Sequence, residues 1–343
     1  VNLSGRLSTM VFAHAERQKG MKDKNNDGFR DEPDIKQYHF FNRWDYLTPT
    51  GDIRFGVKYL GEERAGGQNS YQPGKSDTWS NGFGILIKTK RFEAFSKTGT
   101  LFGREKSMSA GWINNFSYHD QNSFFGYRQY SGRQKTYYSN LLYQWNPRFG
   151  KHILDAGISY KYDLYDESLD DIGFGRKESV PGAFLQYTYT DSARMTLVAG
   201  IRSDHHNLYG NYITPRIHLR YAITPAITLR ASAGKGYRSG NVLAENSFLL
   251  ASSRQISIAP DLREEEAENY GASISARIPV LGKEIKLSAE AYRTRFINQI
   301  ITDLDATPDE VRFYNLNGKS YSNVLQLEAS SQIIDGLDLL AAW

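Results

Sequence analysis

The stretch Lys22 to Asp34, KDKNNDGFRDEPD, packs five acids and two asparagines into one turn-rich segment. Side-chain oxygens at this density suit a hard cation, and the run nearly fits a calcium loop. Asp23, Asn25 and Asp27 stand at its first, third and fifth positions and Gly28 at its turn. The last ligand position holds Asp34 instead of Glu. Calcium as a structural ion on Asp23, Asn25, Asp27 and Asp31, offsetting the repulsion among these acids, is one expectation; a solvated loop joining two strands is the other. A second candidate, GKGYRSG (Gly234 to Gly240), is neither G-x-G-x-x-G nor a Walker motif, and it follows a strand pattern without opening a helix. Its glycines suit a bend at the rim of a sheet. His205 and His206 are adjacent, so on a strand end they point to opposite faces, which disfavours a shared metal and makes them a polar loop pair. Asp303, Asp305 and Asp309 lie in a stretch that reads as solvated loop. With no Ser/His/Asp set, paired carboxylates or H-E-x-x-H motif, the chain does not read as an enzyme, and no cofactor is required.

The elements that must position these residues are strands. Among 343 residues there are 23 Tyr and 18 Phe against 10 Pro and 4 Met, a bias toward strand formers. The 42 basic and 38 acidic residues leave a net charge of +4 with no long basic block, which argues against nucleic acid as a partner. The absence of cysteine removes disulfides, thiolate metal sites and thiol nucleophiles together. The chain opens at Val1 directly in a strand-like pattern, without the basic and apolar regions of a signal peptide, and reads as a fragment or processed piece. No run approaches the ~18 apolar residues of a membrane helix, so a membrane role would need a barrel.

Period two recurs throughout. In RMTLVAGIRSD, Met195, Leu197, Ala199 and Ile201 share one face, against Arg194, Thr196, Gly200 and Arg202 on the other, where Val198 is the one apolar side chain. PRIHLRYAI repeats the split with Ile217, Leu219 and Tyr221 against Arg216, His218 and Arg220. ITLRASAG sets Leu229 against Arg230, and EIKLSAEA sets Leu287 against Lys286 and Ser288. Short turns rich in Gly, Pro, Asp or Asn fall at Thr48 to Asp52, Asn146 to Lys151, Thr190 to Ala193, Ile223 to Ala226, Val280 to Lys283 and Ile333 to Gly336. Between them come longer polar stretches: Lys19 to Asp34, Glu63 to Ser80, His119 to Gln129, Asp166 to Lys177, His205 to Tyr212, Gly234 to Glu264 and Ile300 to Asn317. The pattern predicts about fifteen strands in one all-β domain over 1–343, with turns trimmed at one end and loops elaborated at the other. That is the plan of a transmembrane antiparallel β-barrel with a lipid-facing apolar band. Aromatics toward strand ends, Tyr160, Tyr162, Tyr187, Tyr189, Tyr221, Tyr292 and Phe296, are the expected interfacial girdles. The alternative is a soluble sandwich or propeller, whose strands usually run ~5–6 residues.

From TPRIHLRYAITPAITLRASAGKGYRSGNVLAEN onward the chain resembles the barrel of TonB-dependent outer-membrane receptors, in particular the version common in Bacteroidetes. The likeness rests on Thr214-Pro215-Arg216, Leu229-Arg230, Gly234-Lys235-Gly236-Tyr237-Arg238, Asn241 and Ala244-Glu245. In LREEEAENYG, Leu262 to Gly271, Glu264 stands where the family usually has proline, Glu265 is the matching acid and Gly271 takes a place where an acid is common. YRTRFINQIITD and YNLNGKSYSNVLQLEAS are similar to the strand, loop and strand that follow. The resemblance implies part of a barrel of about twenty-two strands, with the plug and its TonB box outside these residues. It also implies an outer-membrane transporter, in contact with lipid, that takes up a ferric siderophore, cobalamin or another metal chelate with the TonB complex as partner. A passive porin and a soluble β-rich binding module are the rival readings. The longest connection, Gly234 to Glu264, is the expected ligand-sensitive loop, with Lys235, Tyr237, Arg238, Glu245 and Arg254 as candidate contacts.

Overall fold

The computed structural model describes residues 5–20, 22–73, 82–147, 150–191, 194–280 and 282–343. Parts of four connections named above, together with Met21 in the acidic stretch, lie outside them: residues 74–81, 148–149, 192–193 and 281. Among the described residues no helix is long and apolar enough to cross a membrane.

The first half of the chain forms β1 (Leu7–Gln18), β2 (Asp34–Leu47), β3 (Gly51–Gly67), β4 (Gly84–Phe102), β5 (Met108–Phe125), β6 (Arg128–Trp145), β7 (His152–Leu169) and β8 (Ile172–Asp191). The second half forms β9 (Met195–His206), β10 (Gly210–Ala222), β11 (Ile227–Arg238), α1 (Val242–Glu245), β12 (Gln255–Ile258), β13 (Glu265–Val280), β14 (Lys283–Asn298), β15 (Ile300–Asp303), β16 (Glu310–Asn315), β17 (Ser320–Ile334) and β18 (Leu337–Ala342). Fifteen strands pair in one sheet in chain order, β1 to β11, then β13, β14, β17 and β18. Every pairing in it is antiparallel. The remaining three, β12, β16 and β15, make a small separate sheet in which β12 and β16 run parallel.

Residues opposed in an antiparallel ladder share a face, so the register carries the alternation across the sheet. One apolar row runs from Leu219 to Ala231, Ala272, Ala291 and Leu325. Beside it, Leu229, Ile274, Ala289 and Leu327 form another. The opposite face carries Arg220, Arg230, Ser273, Glu290 and Gln326 in line. Leu197, Ala199, Leu219, Leu229 and Leu287 therefore share the apolar face, and Arg216 and Arg230 the polar one.

Two expectations change. Tyr292 and Phe296 are not girdle residues: Tyr292 is opposed to Gly271 on the polar face, and its hydroxyl donates to Glu290 at 3.1 Å. A Cβ on Gly271 would come within 2.5 Å of that ring, which accounts for glycine there. The second change concerns the supposed long loops. His119 to Phe125 continues β5, Asp166 to Leu169 continues β7, and Lys235 to Arg238 continues β11. The β7–β8 connection is only Asp170 and Asp171, both at positive φ, as a type I′ hairpin requires. β5, β7 and β8 reach 18 to 20 residues, well beyond the ~9–11 that span a bilayer. At these strand ends the apolar–polar alternation fades while the hydrogen-bond ladder continues.

Candidate functional site

At the elaborated end, the polar face of β4 to β8 turns apolar. Ile85, Ile87, Phe125, Tyr130, Leu169 and Phe174 all fall on it by register. The connection between β11 and β13 folds down over them. Leu243 and Leu250 pack with Phe125, Tyr130 and Leu169, and Leu249 packs with Val311 and Phe313. Ile256 and Ile258 on β12 touch both groups. Burying each such aliphatic or aromatic side chain contributes roughly 1.5–3 kcal/mol. One cap is thus built from two connections, α1 and β12 from that between β11 and β13, β15 and β16 from that between β14 and β17, and it is seated against β4 to β8. That geometry makes the polar face the concave one, the lumen, and the cap a partial cover of its mouth.

Behind the cap lies a buried polar cluster that sequence reasoning missed. Glu178 on β8, His206 on β9 and Glu264 just before β13 are 1%, 1% and 2% exposed. His206 Nε2 lies 3.3 Å from Glu264 Oε1 and 3.7 Å from Glu178 Oε2. Arg176 Nε lies 2.7 Å from Glu178 Oε1, and the Arg176 guanidinium stacks over Tyr165. Burial opposes the charge on Arg176, but Glu178, Tyr165 and Tyr209 together outweigh it and hold its pKa above the usual arginine value. Nearby, Arg202 Nη2 binds Asp204 at 2.6 Å and Ser159 Oγ at 2.7 Å, while Lys161 reaches the buried Asp163 at 2.7 Å. The sequence signals were present: Glu264 occupies the place where the family carries proline, and His206 alternates with Asp204 on one face. They read as loop because no apolar pattern surrounded them. His205 and His206 do point apart, as adjacent strand residues must, but both belong to β9.

The cluster sits where the sheet forks. β10 and β11 pair only from Ala222↔Thr228 to Arg216↔Gly234. β10 continues beside β9 to Gly210↔His206, and β11 beside β13 to Arg238↔Glu265. The next residue on β10 is Pro215, which has no N–H to extend a ladder. Tyr212 and Tyr237 bridge the fork with rings stacked 4.2 Å apart. Burial, followed by the bond to Glu264, pushes the Tyr212 phenol upward, so it stays a donor.

The ligand candidates from the sequence divide. Lys235, Tyr237 and Arg238 line one groove of about 490 Å³ with Arg216, His218 and Phe296. Glu245 and Arg254 do not line it. Lys235 Nζ pairs with Glu266 at 2.5 Å, and Arg238 pairs with Glu265 and, at 2.8 Å, with Glu245. Arg254 donates to the Leu304 carbonyl at 2.9 Å, while its own carbonyl accepts from Arg128. In the acidic turn, Asp23 accepts from Asp27 N, Gly28 N and Asn69 Nδ2. Slight desolvation opposes ionisation of Asp23, but these bonds outweigh it and hold its carboxyl below the usual range. Asp27 accepts from Phe29 N at 2.8 Å and Asp31 from Lys24 N at 2.9 Å. Among the described residues no group of three or more His, Asp or Glu side chains is arranged to hold a metal ion.

A broad antiparallel sheet with one apolar face, one polar concave face and a self-filled mouth belongs to the class of large β-barrel proteins. The family model for the TonB dependent receptor-like β-barrel matches residues 16–343, and the chain belongs to that family. A comparison with curated proteins gives no match. The fold is similar to that of the siderophore receptor PirA from Pseudomonas aeruginosa, with a TM-score of 0.70 and 11% identity over 99% of this chain and 60% of that one. A mutant of the ferric enterobactin receptor PfeA from the same organism gives 0.73 and 12% over 99% and 57%. PirA from Acinetobacter baumannii gives 0.69 and 10% over 96% and 55%. The chain spans about three-fifths or less of the length of these receptors.

Proposed function

We propose that this chain is the barrel wall of an outer-membrane active transporter. In this reading it takes up a scarce metal chelate, a ferric siderophore or cobalamin, with energy supplied by TonB through a plug domain of the intact protein. The observation that carries the reading is the family match over residues 16–343; siderophore receptors among the fold's neighbours support the ligand class. The Bacteroidetes-type assignment belongs to the same proposal and rests on the quoted run from Thr214 to Glu245. Cells dependent on the intact receptor should lose uptake of a radiolabelled ferric chelate when TonB is depleted. Uptake that persists without TonB identifies a passive pore instead.

Ligand contact is assigned to Lys235, Tyr237, Arg238, Glu245 and Arg254, near the mouth. Replacing Arg238 and Arg254 together by Gln should weaken ligand binding at the cell surface while heat-modifiable migration in gels stays normal. Unchanged binding in the assembled double variant removes these residues from the site. Calcium at the turn bearing Asp23, Asn25, Asp27 and Asp31 is part of the reading. Millimolar calcium should protect residues 22–34 from proteolysis, and no protection ends the idea.

A further inference from the structure

On the convex face of β4 to β8, the register sets a charged band beside an aromatic one. Ala94, Phe116, Tyr137 and Tyr162 stand in line, with Phe116 and Tyr137 exposed. One step toward the elaborated end, Phe92, Tyr118, Lys135, Leu164 and Lys177 form the next row. A further step brings Lys90, Asp120, Arg133 and Asp166 into line. Lys135 thus follows Tyr137 up one strand face and Lys90 follows Phe92 up another, so each carries its charge past the apolar band on a flexible stem.

The acids of this band already have partners. Asp166 meets Arg133 at 3.8 Å, and Glu63 on β3 meets Lys88 at 3.7 Å. Asp120 accepts from Asn122 Nδ2 at 3.2 Å and from the Tyr118 hydroxyl at 3.5 Å. Lys90, Lys135 and Lys177 are exposed, and among the described residues none of the three has an ion-pair partner. Lys135 and Lys177 are both opposed to Leu164, which sets their backbones roughly 10 Å apart, two strand spacings, with no acid between them. On β11 and β14, by contrast, Lys235 pairs with Glu266 and Arg295 with Glu268.

We propose that Lys90, Lys135 and Lys177 bind the phosphate of an anionic lipid whose acyl chains lie down the wall against Phe116 and Tyr137. The inference rests on the reading of this face as the one that meets the membrane. A lysine ammonium meets phosphate as a point charge and needs no fixed geometry, so three flexible stems can converge on one head group. Leu164 and Tyr118, which lie between the lysines, give the first carbons of the chains an apolar floor. Charge selects the lipid. A zwitterionic head group brings an ammonium that the lysines repel, and free phosphate lacks the chains that the aromatic row holds.

The test uses the intact receptor in phosphatidylcholine vesicles at low salt, with a trace of photoactivatable phosphatidic acid, or of phosphatidylcholine carrying the same group on its acyl chain. Phosphatidic acid should label the peptides bearing Tyr137, Leu141 and Ile158 about tenfold or more above phosphatidylcholine. With Lys90→Gln, Lys135→Gln and Lys177→Gln combined, the excess should vanish while heat-modifiable migration stays normal. If that variant fails to assemble, Lys135→Gln alone should lower the excess about fivefold. Equal labelling by the two lipids, or a variant labelled like the natural receptor, overturns the patch and leaves the membrane reading standing. Displacement of the lipid by millimolar inorganic phosphate overturns it in favour of a free-anion site. Labelling by neither lipid removes the membrane from this face and takes both readings down.

Discussion

The outer face of β10 to β17 and the inner mouth of β5 to β8 are both apolar, yet opposite things cover them. On the outside, Ile217, Ile274 and Leu325 are 46%, 44% and 55% exposed, because none of the described residues lies over them. In the mouth, Phe125, Leu250 and Phe313 are 2%, 1% and 2% exposed, because the chain folds back to cover its own wall. The first surface is the one that meets hydrocarbon in the proposed function; the second makes a conventional protein core. Exposure of apolar side chains therefore has a different meaning on the two surfaces.

The sharpest way to break this comparison is to remove a side chain from each surface. Phe313→Ala should cost the docked cap about 3–5 kcal/mol through lost burial and the cavity left behind. Faster hydrogen exchange across residues 249–258 with unchanged barrel migration is the expected result. Equal loss in the membrane strands would show that cap and wall are one cooperative unit. Arginine at Leu219, Leu229 or Leu287 should cost about 2–4 kcal/mol each near the bilayer midplane, read by denaturant titration in lipid vesicles. Arginine tolerated at all three would mean that this face does not meet lipid. Smallest of all, Arg230→Gln on the concave face should shift stability by no more than about 0.5 kcal/mol. Oxygen-accessible spin labels at Leu197 and Ala199, set against water-accessible ones at Arg216 and Arg230, sharpen the same assignment.

Much of the barrel was legible before any coordinates. Ile217 to Tyr221 and Ile285 to Ala291, and Met195 to Ile201 apart from Val198, alternate so strictly that a one-residue slip would turn their apolar side chains to the wrong face. Tyr292 misled because aromatic position along a strand says nothing about which face it occupies; its register with Gly271 does. The candidate site was legible only in part. Lys235, Tyr237 and Arg238 could be singled out as a polar motif at a strand end, and they do share a groove. Glu178, His206 and Glu264 lie 28 and 58 residues apart in sequence, and no local pattern links them.

What the sequence determined by itself is whatever a period of two can encode: strands, their faces, and the tight turns at the trimmed end where Gly, Pro, Asp and Asn set the backbone. Only the tertiary structure decided how far the strands extend beyond their alternating segments, that Pro215 ends a ladder and opens a fork, and that a supposedly solvated loop becomes a core inside the mouth. The physical reason is the range of the interactions. Alternation and turn chemistry act between near neighbours, whereas burial of Leu250 against Phe125 and the meeting of Glu264 with His206 require the sheet to curve until distant strands face one cap.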